Sequence, residues 1–141
     1  MAVQLDPYLS FADDARGAME FYRSVFGGTL DVMTFGEQPD MPGNDPSLAD
    51  KVMHSYLAGD NGIHLMGADT APGMGEATAS STQVSLSGDD EALLRGYWDA
   101  LADGGTVTMP LEKAPWGDSF GMLTDRHGVP WLVNISGSPQ G

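Results

Sequence analysis

Apolar and polar positions along this chain fall into helical and strand-like patterns, and the order of those patterns occurs twice. Ala15, Met19, Tyr22 and Phe26 recur at three- and four-residue steps, and so do Leu94, Tyr97, Trp98 and Leu101. Each set predicts an amphipathic helix with a single apolar stripe. The two helices are bracketed alike. Asp13-Asp14 and Asp89-Asp90 precede them, where a carboxylate can accept from the orphan amides of the first turn and suits the positive end of the helix dipole. Gly27-Gly28 and Gly104-Gly105 follow, where glycine can adopt the left-handed conformation that satisfies the last carbonyls. The acidic pairs lie 76 residues apart, as do the aromatic pairs Phe21-Tyr22 and Tyr97-Trp98, while Gly-Gly-Thr slips to 77.

Around each helix the period changes from about four to two. Val3, Leu5, Leu9 and Phe11 alternate with Gln4, Asp6, Tyr8 and Ser10, which predicts a half-buried strand with Pro7 as an edge or bulge signal. Thr29 to Phe35 reads as the next strand. Residues 36–50, rich in proline, glycine and acidic side chains, can hold neither ladder nor helix and read as either a tether or a flap over a binding site. Lys51 to Ala58 and Ile63 to Gly67 form a hairpin about Gly59-Asp60-Asn61-Gly62, whose residues tolerate positive φ. The second copy repeats the order with strands over 81–87, 105–111, 120–124 and 129–135. The chain therefore reads as one domain: module one over 1–67, a connector over 68–79 and module two over 80–137, each strand, helix, strand, strand, strand.

Composition narrows the partners. Six basic against twenty acidic side chains give a net charge of −14, which repels phosphate backbones and argues against nucleic acid. The absence of cysteine excludes disulfides, thiol nucleophiles and zinc–thiolate sites. The N-terminal residues lack the basic-then-apolar order of a secretory signal, and eighteen apolar residues never run together, so the expected location is the cytoplasm, away from membranes.

The doubled βαβββ order, the helices ending in Gly-Gly and the run Trp116-Gly117-Asp118-Ser119-Phe120 through Gly128-Val129-Pro130-Trp131 resemble the vicinal oxygen chelate superfamily of glyoxalases, bleomycin resistance proteins and extradiol dioxygenases. Pro7-Tyr8-Leu9-Ser10-Phe11, Phe21-Tyr22, Phe35-Gly36-Glu37 and Gly128-Val129-Pro130-Trp131 resemble its PhnB-like branch. The resemblance implies an α+β fold in which each module curls into half of an open barrel, the concave faces enclosing a cleft, and a homodimer. It also implies, for metal-dependent members, four ligands, one on the first and one on the last strand of each module. Such His, Gln or Glu ligands hold a divalent cation with positions open for two substrate oxygens.

Counting back from Phe21-Tyr22 puts the first of those positions at Pro7 and the repeat puts its partner at Gln83, while the resemblance implies His64 and Leu132 for the last strands; of the four only His64 and Gln83 can coordinate. No cofactor is therefore expected, the alternative being a divalent metal ion on His64 and Gln83. The leading reading is a protein that binds a small molecule in an apolar, aromatic cleft, with His64 as the catalytic candidate and Gln83, Trp116, His54, Phe35 and Glu37 as ligand-binding candidates; a resistance-like member would sequester a drug. The alternative is a lyase, isomerase or dioxygenase with an altered ligand set, or a metal-free acid–base catalyst using His64. A purely structural or regulatory dimer is the third class. His54 and His64 lie on neighbouring strands and could pair across them, His127 sits in a turn and reads as solvated, and Trp131 reads as core. Neither a Gly-x-Ser-x-Gly elbow nor a phosphate loop is present, and the methyltransferase label carried by some PhnB-like proteins finds no support in these residues.

Overall fold

The computed structural model describes residues 5–37, 49–70 and 77–137. Two compact units result, Met1–Thr78 and Ala79–Gly141, each an α+β module. Module one runs β1 (Tyr8–Phe11), α1 (Ala15–Phe26), β2 (Thr29–Thr34), β3 (Val52–Ala58) and β4 (His64–Asp69). Module two runs β5 (Val84–Gly88), α2 (Glu91–Ala102), β6 (Thr106–Lys113), β7 (Ser119–Thr124) and β8 (Pro130–Ile135). The sheets have the orders β1-β4-β3-β2 and β5-β8-β7-β6. In each, the first strand is parallel to the last and the other pairs are antiparallel.

The helical stripes are buried as their spacing requires. Ala15, Ala18, Met19, Tyr22 and Phe26 of α1 share a core with Leu9, Phe11, Leu57 and Leu65; Leu94, Tyr97, Trp98 and Leu101 of α2 share one with Val84, Leu86, Leu123, Trp131 and Val133. Full burial of each large side chain contributes about 1.5–3 kcal/mol. The Gly-Gly pairs have two jobs. Gly27 and Gly104 take positive φ, at 72° and 78°, and a Cβ on Gly28 or Gly105 would run into the backbone at Ala58 or Thr124.

Several expectations shift. The second strand stops at Thr34, and Phe35–Glu37 form a single 3-10 turn. The fourth continues to Asp69, so Ala68 and Asp69 leave the connector. β5 begins at Val84 after a 3-10 turn over Ala79–Ser81. β6 extends to Lys113 through Pro110, with register shifts between Val107 and Met109 and between Met109 and Glu112. Residues 38–48 and 71–76, most of the expected loop and connector, lie outside the described residues, as do Val3 and Gln4. Only α2 is capped as foreseen, Asp90 Oδ1 accepting from the Leu93 amide at 3.1 Å. No side-chain cap bond comes from Asp14. The cap on α1 is instead Asp69, a buried carboxylate brought in by β4, which accepts from Ala15 N at 2.9 Å.

The ladders also fix how the modules correspond. Phe11 faces Asp69 and its carbonyl receives the Thr70 amide; Gly88 faces Ile135 and its carbonyl receives the Ser136 amide. Phe11 is thus the counterpart of Gly88, Tyr8 of Ser85 and Met66 of Leu132, an offset of 77 rather than 76 on the first strand.

Candidate functional site

Alternation along the strands sends every second side chain of module one away from α1. The side facing α1 takes Leu9, Phe11, Ser55, Leu57 and Leu65, all buried. The open side takes Tyr8 and Ser10 from β1, Asp31 and Met33 from β2, His54 and Tyr56 from β3, and His64 and Met66 from β4. The register agrees, placing Met33 opposite His54, Asp31 opposite Tyr56, and both Tyr56 and Tyr8 beside Met66.

Two tyrosine–histidine pairs stand on this face. Tyr56 Oη lies 2.6 Å from His64 Nδ1 with the rings stacked, centroids 5.9 Å apart and planes at 14°. Tyr8 reaches across β4 to His54, Oη to Nδ1 at 3.4 Å, with rings stacked at 5.8 Å and 25°. Partial burial raises the Tyr8 phenol above its ordinary pKa, which keeps it protonated. The two histidines do not pair with each other. His64 faces Ala58, four residues along β3 from His54, which is about 13 Å at the strand rise.

The remaining candidates are spread out. Gln83, just before β5, donates from Nε2 to Met122 Sδ at 3.5 Å. Trp116 is 66% exposed. Its ring meets Phe120 edge-on at 6.3 Å and borders, with Met109, Pro110 and Lys113, a hollow of about 240 Å³. Phe35 is buried against Met53 and offers no open surface. Glu37 closes its own turn: its carboxylate accepts from the Thr34 amide at 2.7 Å and hydroxyl at 3.1 Å, bonds that hold it below the ordinary carboxylate range. His127 is half-buried in the 125–128 turn, where its amide donates to Asp125. Tyr8 and Tyr56 were missed as candidates. The signal for them was the period-two pattern, which already set Tyr8 apart from Leu9 and placed Tyr56 in phase with His54.

A sequence profile of the glyoxalase/bleomycin resistance protein/dioxygenase superfamily matches residues 4–133. The chain belongs to that superfamily. The protein YjdN of Escherichia coli K12 is 31% identical over 139 residues, covering 93% of this chain and 94% of the relative. Among solved structures, the protein PA1353 of Pseudomonas aeruginosa superposes with a TM-score of 0.80 at 38% identity, covering 97% of this chain and all of that one. A PhnB protein of Bacillus cereus gives 0.71 at 23% identity over 95% of this chain and 100% of its own, a likeness that shows the fold alone. Among the described residues no helix is long and apolar enough to cross a membrane.

The metal seats implied by the superfamily can be tested against the ladder. Pro7 has the parity of Leu9 and spends its carbonyl on the Met66 amide at 3.0 Å, so it is Tyr8 that β1 presents to the open face. With the 77-residue offset of the first strands, the counterpart of Gln83 is Asp6; the last strands correspond at a different offset, Met66 to Leu132 and His64 to Pro130. Asp6, Met66, Gln83 and Leu132 provide two oxygen-bearing side chains, one weak thioether and one alkane. Met66 and Leu132 offer a divalent ion neither an oxygen nor a nitrogen donor. Nor do the described residues group three His, Asp or Glu side chains as a metal would need.

Proposed function

We propose that the protein binds a small, planar organic molecule on the open face of module one, without a complete set of metal ligands. The observation that carries this reading is the pair of stacked tyrosine–histidine couples beside Met33 and Met66 on a sheet face that the helix leaves uncovered. Flat rings and adaptable thioethers supply apolar contact, and the phenol and imidazole edges supply direction, the mixture small-molecule sites use. Screening planar aromatic and carbonyl compounds by thermal shift tests it. At least one class should stabilise the wild type and lose that effect in Tyr8→Ala and Tyr56→Ala variants. A ligand whose binding survives both substitutions, or stoichiometric nickel, manganese, iron or zinc that is lost in His64→Ala, would sink it.

A second reading has one observation in its favour. The 2.6 Å contact between Tyr56 and His64 is the arrangement of a general acid or base held by a partner. On that reading the same face is a metal-free catalytic site, and His64→Ala abolishes turnover of the bound compound while binding persists.

A further inference from the structure

The phenol of Tyr56 and the imidazole of His64 are diagonal neighbours across β3 and β4, joined at 2.6 Å through Nδ1. A phenol hydroxyl carries one O–H donor, and the lone pair of an imidazole nitrogen is a better acceptor than a phenol oxygen. The hydroxyl therefore donates to Nδ1. A neutral imidazole carries a single N–H, and with Nδ1 accepting, the hydrogen sits on Nε2. We infer that Tyr56 is a positioning residue that holds His64 as an Nε2–H donor, so that this face receives an uncharged carbonyl oxygen rather than a metal ion. The ligand class rests on the binding role proposed above; the tautomer does not.

Three observations support it. The second couple repeats the choice of atom, Tyr8 Oη meeting Nδ1 of His54, not Nε2, with the rings again stacked. Secondly, the scaffold does not need these residues. The positions in module two that correspond to Tyr8, His54, Tyr56 and His64 carry Ser85, Phe120, Met122 and Pro130, and the sheet there forms the same ladders. Lastly, the surroundings select the charge of the ligand. Asp31 stands opposite Tyr56 on the open face, and the chain carries a net charge of −14, both unfavourable to an anion. A metal would need a lone pair on Nε2, which appears only if the hydrogen moves to Nδ1 and Tyr56 turns from donor to acceptor.

Long-range proton–nitrogen correlation spectra of the labelled full chain at pH 8 test the tautomer directly. His64 should show a pyridine-type Nδ1 and a pyrrole-type Nε2, and Tyr56→Phe should turn this into an averaged pattern while backbone resonances of module two stay in place. A pyrrole-type Nδ1 in the wild type, or a pattern unmoved by Tyr56→Phe, overturns the assignment. Equimolar nickel should leave the His64 ring signals intact; their selective loss also overturns it. Millimolar acetophenone should shift His64 Nε2 more than millimolar benzoate does, and the reverse order overturns the carbonyl class. Should the tautomer hold while neither compound moves any open-face resonance, the binding role and the ligand class fall and the positioning role of Tyr56 stands.

Discussion

Asp69 and Ala15 are joined by a 2.9 Å hydrogen bond across 54 residues of sequence, the carboxylate at the end of β4 closing the first turn of α1. The other carboxylate oxygen accepts from the Val52 amide, also at 2.9 Å, so one buried side chain ties a helix and two strands. Asp69→Ala leaves both amides without that acceptor, and each unsatisfied buried donor costs about 1–3 kcal/mol. We expect a loss of about 2–4 kcal/mol in urea unfolding. Asp90→Ala, which removes an exposed cap from α2, should cost only about 1 kcal/mol. Equal losses would refute the tie.

The turn from β7 to β8 has a similar anchor. Asp125 is buried; its Oδ1 accepts from the amides of His127 and Val129 and its Oδ2 from Trp131 Nε1 at 2.8 Å. Asp125→Asn can keep the first two bonds only by turning its NH₂ toward the indole N–H, donor against donor. The expected cost is about 1–3 kcal/mol. In a Trp131→Phe background the same change should cost less, because the opposing donor is gone; full additivity in the double-mutant cycle would count against the contact.

Acid should weaken the protein through carboxylates that fold into hydrogen bonds. Glu37 is held below its ordinary pKa by the Thr34 amide first and the Thr34 hydroxyl next, and Asp118 by the Gly137 amide first and the Asn134 side chain next. A depressed folded pKa gives stability that is whole above the unfolded value, about 4.3 for Glu and 3.9 for Asp, and is lost as pH falls through the folded one. Urea midpoints followed downward from pH 5 should fall less in Glu37→Gln and Asp118→Asn than in the wild type. Lys51 has the opposite sign. Its bond to Asp13 at 2.7 Å raises the ammonium pKa, so its contribution is whole below about pH 10.4 and disappears as pH rises through the folded value.

Two glycines of module two should respond in opposite directions to alanine. A Cβ on Gly121 would sit 2.8 Å from Leu111 Cα and 2.8 Å from Trp98 Cη2, overpacking that costs about 1–3 kcal/mol because backbone cannot step aside. A Cβ on Gly96, inside α2, meets nothing within 4 Å. Gly96→Ala should stabilise by about 0.5–1 kcal/mol. Differential scanning calorimetry of the two variants checks both signs.

Most of the architecture was readable before any coordinates because it follows from period. The three-four stripes named the helix faces, and the alternation around Leu9 and Phe11 named which side of β1 is buried. What escaped was anything depending on long-range register. Asp69 looked like connector because nothing local marks a carboxylate that will cap a helix 54 residues earlier. Counting back from Phe21-Tyr22 puts the first seat at Pro7, and the helices' offset of 76 makes Gln83 its partner, whereas the first strands correspond at 77, and in a sheet one residue exchanges faces. For the same reason the tyrosine partners of His54 and His64 were out of reach: Tyr8 meets His54 only because β1 lies beside β4.

Strand parity in module one has an evolutionary consequence. The residues that hold the sheet to its helix and the residues that face outward occupy alternate positions, so selection can act on one set without reopening the other. The corresponding outward positions of module two carry Ser85, Phe120, Met122 and Pro130, with the parallel pairing of first and last strand retained.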